Sequence, residues 1–230
     1  VGATGQIIPG TRATDPNYDG INVYGDEVTA DIRAAILNTI AQNGPPDLKN
    51  FIDTLNGGKP INVSRTGYAE SATIKPDAYN YKISGVLHYK ISDKLEAVLA
   101  ANWGKGDAIY TTVRRAGFKA TVIGQYKLEL NHKNWMFRTY TIQEDAGENY
   151  DATVNTILFN ESWKPSGGQT GWFATYTQAY LGTRLAGAND FDAQTAARAA
   201  ADVGRPVAGT PAFQNAFDAI RKVPISKVGR

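Results

Sequence analysis

Residues 79 to 91 read Tyr79-Asn80-Tyr81-Lys82-Ile83-Ser84-Gly85-Val86-Leu87-His88-Tyr89-Lys90-Ile91. Side chains alternate faces along a strand, so Tyr79, Tyr81, Ile83, Gly85, Leu87, Tyr89 and Ile91 share one face, and Asn80, Lys82, Ser84, Val86, His88 and Lys90 the other. One face is apolar with tyrosines near both ends; the other is mostly polar or cationic, as in a membrane β-barrel strand. Tyr81 and Tyr89 lie eight residues apart. At a tilt of roughly 40° that separation covers about 20 Å of bilayer depth, close to the spacing of two aromatic girdles.

The same period continues downstream. Leu95, Ala97, Leu99, Ala101 and Trp103 alternate with Glu96, Val98, Ala100 and Asn102, and Val122, Gly124, Tyr126, Leu128 and Leu130 with Thr121, Ile123, Gln125, Lys127 and Glu129. A fourth strand holds Trp135, Phe137 and Thr139 against Met136, Arg138 and Tyr140. Here the facing is ambiguous from pattern alone. Trp135 and Phe137 are assigned to lipid because that leaves Arg138 in the lumen and avoids about 2 to 4 kcal/mol for a midplane arginine. The facing that results points Tyr81, Leu87, Tyr89, Leu99, Trp103, Tyr126 and Leu128 to lipid, and Lys82, Lys90, Glu96, Lys127, Glu129 and Arg138 to the lumen. Tight turns are expected at Ser92-Asp93-Lys94 and His132-Lys133-Asn134 on the periplasmic side, with longer extracellular connections at residues 104 to 117 and 146 to 230.

Composition excludes little by itself. The chain has 230 residues, a formal net charge of +2 and no basic block, which gives no reason to propose nucleic acid as a partner. Zero cysteines exclude disulfides and thiolate metal sites. No run approaches the ~18 apolar residues of a membrane helix. The opening Val1-Gly2-Ala3-Thr4-Gly5-Gln6 lacks the regions of a signal peptide, so a membrane reading requires a β protein whose true N-terminus lies upstream.

The flanks follow a different period. Residues 1 to 27 are rich in Gly, Pro, Asp and Asn; then Thr29 or Asp31 can cap a helix with Ile32, Ile36, Leu37 and Ile40 on one face, stopped by Gly44-Pro45-Pro46. A second short helix is expected from Asp47 to Leu55, ending at Gly57-Gly58. Beyond residue 146, Trp172, Phe173, Tyr176 and Tyr180 recur at helical spacing. An Ala-rich stretch capped by Asp190 and stopped at Gly204 and Pro206 follows, then Phe213, Phe217 and Ile220 before Pro224. The expected organisation is a loop region with short helices at 1–74, four antiparallel barrel strands at 75–145, and a folded helical insertion at 146–230.

Three groups of residues are candidates for chemistry. Asp15, Asn17, Asp19, Gly20 and Asp26 follow D-x-N-x-D-G-x5-D, close to a calcium loop. Pro16, Asn22 and the closing Asp depart from that pattern, and an Asx-rich surface turn explains the same residues. Trp172, Tyr176 and Tyr180 could stack on a ligand at the outer mouth; residues at this spacing also pack the core of their own loop. Lumen-facing Lys82, Glu96, Lys127, Glu129 and Arg138 could contact a plug or a passing solute, or pair across strands. His88 and His132, the only histidines, have no triad pattern around them, and no Walker loop, dinucleotide fingerprint or zinc spacing occurs, so no enzymatic activity is expected. Four strands cannot close a barrel, which needs about eight or more, and open edges would bare N–H and C=O groups to hydrocarbon.

Asp15-Pro16-Asn17-Tyr18-Asp19-Gly20-Ile21-Asn22-Val23-Tyr24-Gly25-Asp26-Glu27, Trp103-Gly104-Lys105-Gly106 with Tyr110-Thr111, and Gln125-Tyr126-Lys127-Leu128-Glu129-Leu130 resemble segments of TonB-dependent outer-membrane receptors. The similarity continues through Asn134-Trp135, Tyr140-Thr141 and Gln143-Glu144-Asp145-Ala146-Gly147 toward Gly204-Arg205-Pro206, and it is to the branch that carries a carboxypeptidase-regulatory-like domain before its plug. The resemblance implies an internal piece of a barrel of roughly 22 strands, in the outer membrane of a Gram-negative bacterium, with long, partly helical extracellular loops. It implies as partners the remaining strands and plug, the TonB energy-coupling complex, outer-membrane lipid and a surface-exposed lipoprotein. The implied function is import of a scarce solute of the siderophore, glycan, peptide or cobalamin class, by loop capture and plug-gated passage. The residues alone also fit a soluble all-β ligand- or glycan-binding module with helical insertions, whose Tyr and Leu face would lie under a second sheet.

Overall fold

In a computed structural model that describes residues 22–40, 45–111 and 115–224, the chain divides into two compact units, Ile74–Ala152 on the one hand and Val1–Thr73 with Thr153–Arg230 on the other. The fold is mixed α/β with antiparallel sheets, none of them closed into a barrel.

The discontinuous unit is mainly helical. Its first part holds β1 (Val23–Tyr24), β2 (Thr29–Asp31), α1 (Ile32–Ile40), α2 (Pro46–Thr54), β3 (Asn62–Ser64), β4 (Tyr68–Ala69) and the single turn α3 (Glu70–Thr73). Strands β1 and β4 pair, as do β2 and β3. Of the two expected caps for α1, Asp31 is the one used: its Oδ1 accepts from the backbone N–H of Arg33 at 3.0 Å and Ala34 at 3.3 Å. The same oxygen accepts from Ile61 N–H at 3.0 Å, so one carboxylate starts the helix and ties it to the chain entering β3. Helix α2 begins on Pro46, one residue before the expected Asp47, because proline has no N–H to lose in a first turn.

The long strands intervene before the second part of this unit. They are β5 (Asn80–Ser92), β6 (Leu95–Thr111), β7 (Arg115–His132), β8 (Trp135–Asp145) and β9 (Glu148–Asp151). After them come α4 (Ala152–Trp163), α5 (Trp172–Leu185), α6 (Asp190–Ala201) and α7 (Pro211–Arg221). Asp190 is the first residue of α6 and not its cap; Asn189 caps it, its side chain accepting from Asp192 N–H at 2.9 Å. Thr210 caps α7 from its hydroxyl, with Pro211 in the first turn. Ala193, Ala197 and Ala201 form a stripe of small side chains, and they share one core with Trp172, Tyr176 and Tyr180 and with Ile32, Ile36, Ile52, Leu55 and Val63. A second core stacks Tyr68, Phe159, Phe213 and Phe217, with ring centroids 5.0 to 5.6 Å apart. Among the described residues, no helix is long and apolar enough to cross a membrane.

The sheet runs in the order β5-β6-β7-β8, and β9 continues the β8 side along the far end of β7. The connections at Asp93-Lys94 and Lys133-Asn134 are two-residue turns at one end of the sheet. At the other end the expected loop over 104 to 117 is absent in that form: β6 stays in strand to Thr111 and β7 resumes at Arg115. Gly104 and Gly106 read as loop punctuation in the sequence, but Gly106 is where β5 comes close, and a Cβ there would sit 2.7 Å from the Tyr79 carbonyl oxygen. The expected division at residue 146 also shifts, because β9 belongs to the sheet.

Between β8 and β9 the chain steps out at Gly147, opposite a bulge at Ala120, whose φ is +55°. Asp107 holds that bulge: Oδ1 accepts from Ala120 N–H at 2.7 Å and Oδ2 pairs with Lys119 Nζ at 2.9 Å. Gly147 has φ +66°, and a Cβ on it would lie 2.1 Å from the Lys119 carbonyl oxygen. Gly147→Ala is therefore expected to cost about 2 to 4 kcal/mol, from the left-handed backbone plus the clash. A urea midpoint equal to that of the parent protein would show that the step between β8 and β9 is not fixed here.

Candidate functional site: the two faces of the long sheet

Residues directly opposite in an antiparallel ladder share a face, so the register sorts every side chain of the sheet. On face A, Leu87 opposes Leu99, which opposes Leu128, which opposes Thr139. The neighbouring rows on this face are Ile83-Trp103-Gly124-Gln143 and Gly85-Ala101-Tyr126-Thr141, and Leu130 pairs with Phe137. The fully charged side chains of face A in the four-strand part, Lys105 and Asp145, sit at the end away from the tight turns, and His132 lies against Trp135 at the other end. Between these ends face A carries only apolar and neutral side chains. It is also uncovered: Tyr81 is 63% exposed, Leu87 61%, Tyr89 66% and Leu99 51%.

Face B holds the charges. Lys82, Glu96, Lys127, Glu129 and Arg138 all fall on it, which resolves the ambiguous strand: Arg138 opposes Glu129, and Trp135 and Phe137 lie on face A. Glu129 accepts from Arg138 Nε at 3.0 Å and from Lys127 Nζ at 2.5 Å, and Glu96 meets His88 Nδ1 at 2.9 Å. These groups neutralise one another within the half of face B nearest the tight turns. The other half presents Asn80, Lys82, Ser84, Asn102 and Gln125, with Asp107, Tyr110 and Phe118 beyond them, around a concavity of about 640 Å³. Sequence reading missed that half because Tyr110 fell in what looked like a loop, over 104 to 117, and Phe118 just past it, although Ser84, Asn102 and Gln125 already stood at matching polar positions of three strands.

The other candidate residues are placed differently. Trp172, Tyr176 and Tyr180 are each 0% exposed, so they pack the helical core and have no face open for a ligand. Asp202 accepts from Trp172 Nε1 at 2.8 Å, and Asp190 from the Tyr180 hydroxyl at 2.6 Å. Asp15, Asn17 and Asp19 of the calcium-loop pattern lie outside the described residues, whereas Asp26 is buried. Among the described residues, no group of three or more His, Cys, Asp or Glu side chains could hold a metal ion.

Two buried tyrosines make the helical unit sensitive to alkali. Burial pushes the Tyr68 phenol up from 10.0 to about 12, against the opposing pull of Arg205, whose guanidinium lies 3.9 Å from the ring centre. Tyr180 is raised too, by burial first and then by its bond to the Asp190 carboxylate. In the unfolded chain both ionise near 10. The folded state thus retains protons that the unfolded state releases, so stability is complete below about pH 10 and falls as pH rises from there toward 12. Thermal unfolding followed from pH 9 to 12 should show that fall, with a shallower slope in Tyr180→Phe. An identical slope in the variant would contradict the assignment.

Comparisons of the chain with protein-family models, with curated proteins and with solved structures find no match.

Proposed function

We propose that residues 74–152 are wall strands of a TonB-dependent outer-membrane receptor, with face A against lipid and face B against the water-filled lumen. The observation that carries this reading is the Tyr- and Leu-rich face A, uncharged between its two ends, spread over strands of 13, 17, 18 and 11 residues and left exposed. A soluble protein seldom leaves an apolar patch of that extent in water. In hydrocarbon the same face is stabilised, and the paired charges of face B stay wet. Within the described residues, β5 and β8 each have a long-strand partner on one side only, so the reading requires further strands from outside 74–152 on both flanks.

The segments at 15–27, 103–106 with 110–111, and 125–130 that resemble such receptors support the more specific assignment, and with it a plug, energy coupling through TonB and a surface lipoprotein as partners. The tight turns at Asp93-Lys94 and Lys133-Asn134 are then periplasmic, and the helical unit belongs to the extracellular rim that captures solute. Capture cannot use Trp172, Tyr176 or Tyr180 as they stand in the core.

Cell fractionation tests the reading. The receptor is expected in the outer-membrane fraction, released by detergent and not by high salt or carbonate. Recovery of folded protein from the aqueous fraction would favour the soluble binding module, in which another layer of protein covers face A.

A further inference from the structure

Helix α2 runs into a turn at Asn56-Gly57-Gly58, and the turn joins two residues of the helical core, Leu55 before it and Ile61 after it. Asn56 has φ +50° and ψ +31°, a left-handed conformation that asparagine tolerates better than most side chains. Hydrogen bonds close the turn: Asn56 Nδ2 donates to the Pro60 carbonyl at 2.8 Å, and Lys59 N–H donates to the Asn56 carbonyl at 3.2 Å. Asn56 and Gly57 are exposed, and a Cβ on Gly57 would meet no other atom within 4 Å, so water reaches both residues.

We propose that Asn56 is a self-modification site, an amide that deamidates through a succinimide and that the folded turn holds unreactive. In the reaction the Gly57 backbone nitrogen bonds to Asn56 Cγ, the Cγ–Nδ2 bond breaks, and the Gly57 proton leaves with the Nδ2 group as ammonia. Water then opens the ring to aspartate or isoaspartate. Glycine suits the attacking position, because no side chain crowds its nitrogen. The ring closes only when that nitrogen eclipses Cβ about the Cα–C bond, which tetrahedral geometry at Cα places at ψ of about −120°. At ψ +31° the nitrogen stands nearly opposite Cβ, and the bond to Pro60 holds the amide in place. Reaction therefore waits for the turn to open. The product then keeps it open: a carboxylate at 56 faces the Pro60 carbonyl with no proton to donate, and isoaspartate adds a backbone carbon within the ring that the Lys59 N–H closes. This chemistry is set within the helical unit and is independent of what covers face A.

The test incubates the intact folded protein, and the same protein unfolded in urea, at mildly alkaline pH. The peptide containing Asn56 is then followed by the mass change of amide-to-acid conversion and by chromatographic separation of aspartate from isoaspartate. Conversion is expected in the unfolded chain and should run at least about tenfold slower in the folded one, a ratio set by the free energy of opening the turn. Asn56→Asp, which imitates one product, should lower the thermal midpoint by about 2 to 4 °C through the lost bond to Pro60. Equal rates in the folded and unfolded protein would overturn the gating by the turn. An Asn56 inert in urea would overturn the site itself, and a parent-like midpoint in Asn56→Asp would overturn its consequence for the fold.

Discussion

Under the proposed membrane reading, Leu128→Arg is expected to remove most of the folded protein from the outer membrane. Leu128 lies within β7, opposite Leu99 and Thr139 on face A, several residues from either end of the four-strand ladder. In the proposed orientation that position is near the bilayer midplane, where an arginine costs about 2 to 4 kcal/mol relative to an apolar side chain. A cost of that size is a large fraction of a typical net stability of about 5 to 15 kcal/mol, and it acts while strands are inserting. Val86→Arg is the control: Val86 is 61% exposed on face B, opposite Ala100, and its guanidinium would project into water. Outer-membrane levels of the two variants, read as the heat-modifiable band on gels, should differ severalfold. Equal levels would contradict the assignment of faces.

The second large effect is expected in the helical unit. Arg65 is 0% exposed and follows β3, and its guanidinium reaches the C-terminal end of α4. Nη1 donates to Glu161 Oε1 at 2.8 Å and to Ser166 Oγ at 2.7 Å, while Nη2 donates to the Asn160 carbonyl at 2.7 Å and to the carbonyl of Lys164. Trp163 lies beside it, its ring centre 5.3 Å from the guanidinium carbon. Burial lowers the Arg65 pKa and the neighbouring Glu161 opposes that, which is the usual condition of a buried paired cation. Removing it strands two carbonyls and an acid, although the Glu161 side chain is 38% exposed and can recover water. Arg65→Ala should therefore cost about 3 kcal/mol, at the low end for a broken buried pair. Arg65→Lys should recover little of this, because one ammonium cannot span four acceptors set by a planar fork. Urea unfolding followed by tryptophan emission would measure both, and a loss under about 1 kcal/mol for Arg65→Ala would show that Arg65 does not organise this unit.

The face assignment was legible because period 2 needs only local sequence. Tyr81, Leu87, Leu99, Tyr126 and Leu128 fall on one face in the structure, and Lys82, Glu96, Lys127, Glu129 and Arg138 on the other. Asp31 was legible as a cap for the same reason. Features that depend on distant partners were not. Arg65 has no local signature, since its partners lie 95 to 101 residues away. The two- and three-residue strands β1 to β4 are too short to show a period. Helix α4 was missed because Thr153, Val154, Thr156 and Ile157 are β-branched and its apolar residues do not keep to one stripe. Glycines misled in the opposite direction: Gly104 and Gly106 suggested a loop where the chain stays in strand and Gly106 lets a neighbouring strand approach, and the half of face B around the concavity was hidden with them. The aromatic series at 172, 176 and 180 shows the limit of spacing alone, for a helical stripe of rings looks the same whether it faces a ligand or a core.

The central claim is that face A meets lipid and face B meets water, and a nitroxide scan tests it most directly. The sequence contains no cysteine, so single cysteines placed one at a time from 96 to 104 on β6 can each carry a spin label in the intact receptor reconstituted into lipid vesicles. The account predicts oxygen accessibility peaking at 97, 99, 101 and 103, and accessibility to a water-soluble nickel chelate peaking at 100, 102 and 104. Odd positions shielded from both reagents, or open to nickel, would contradict it.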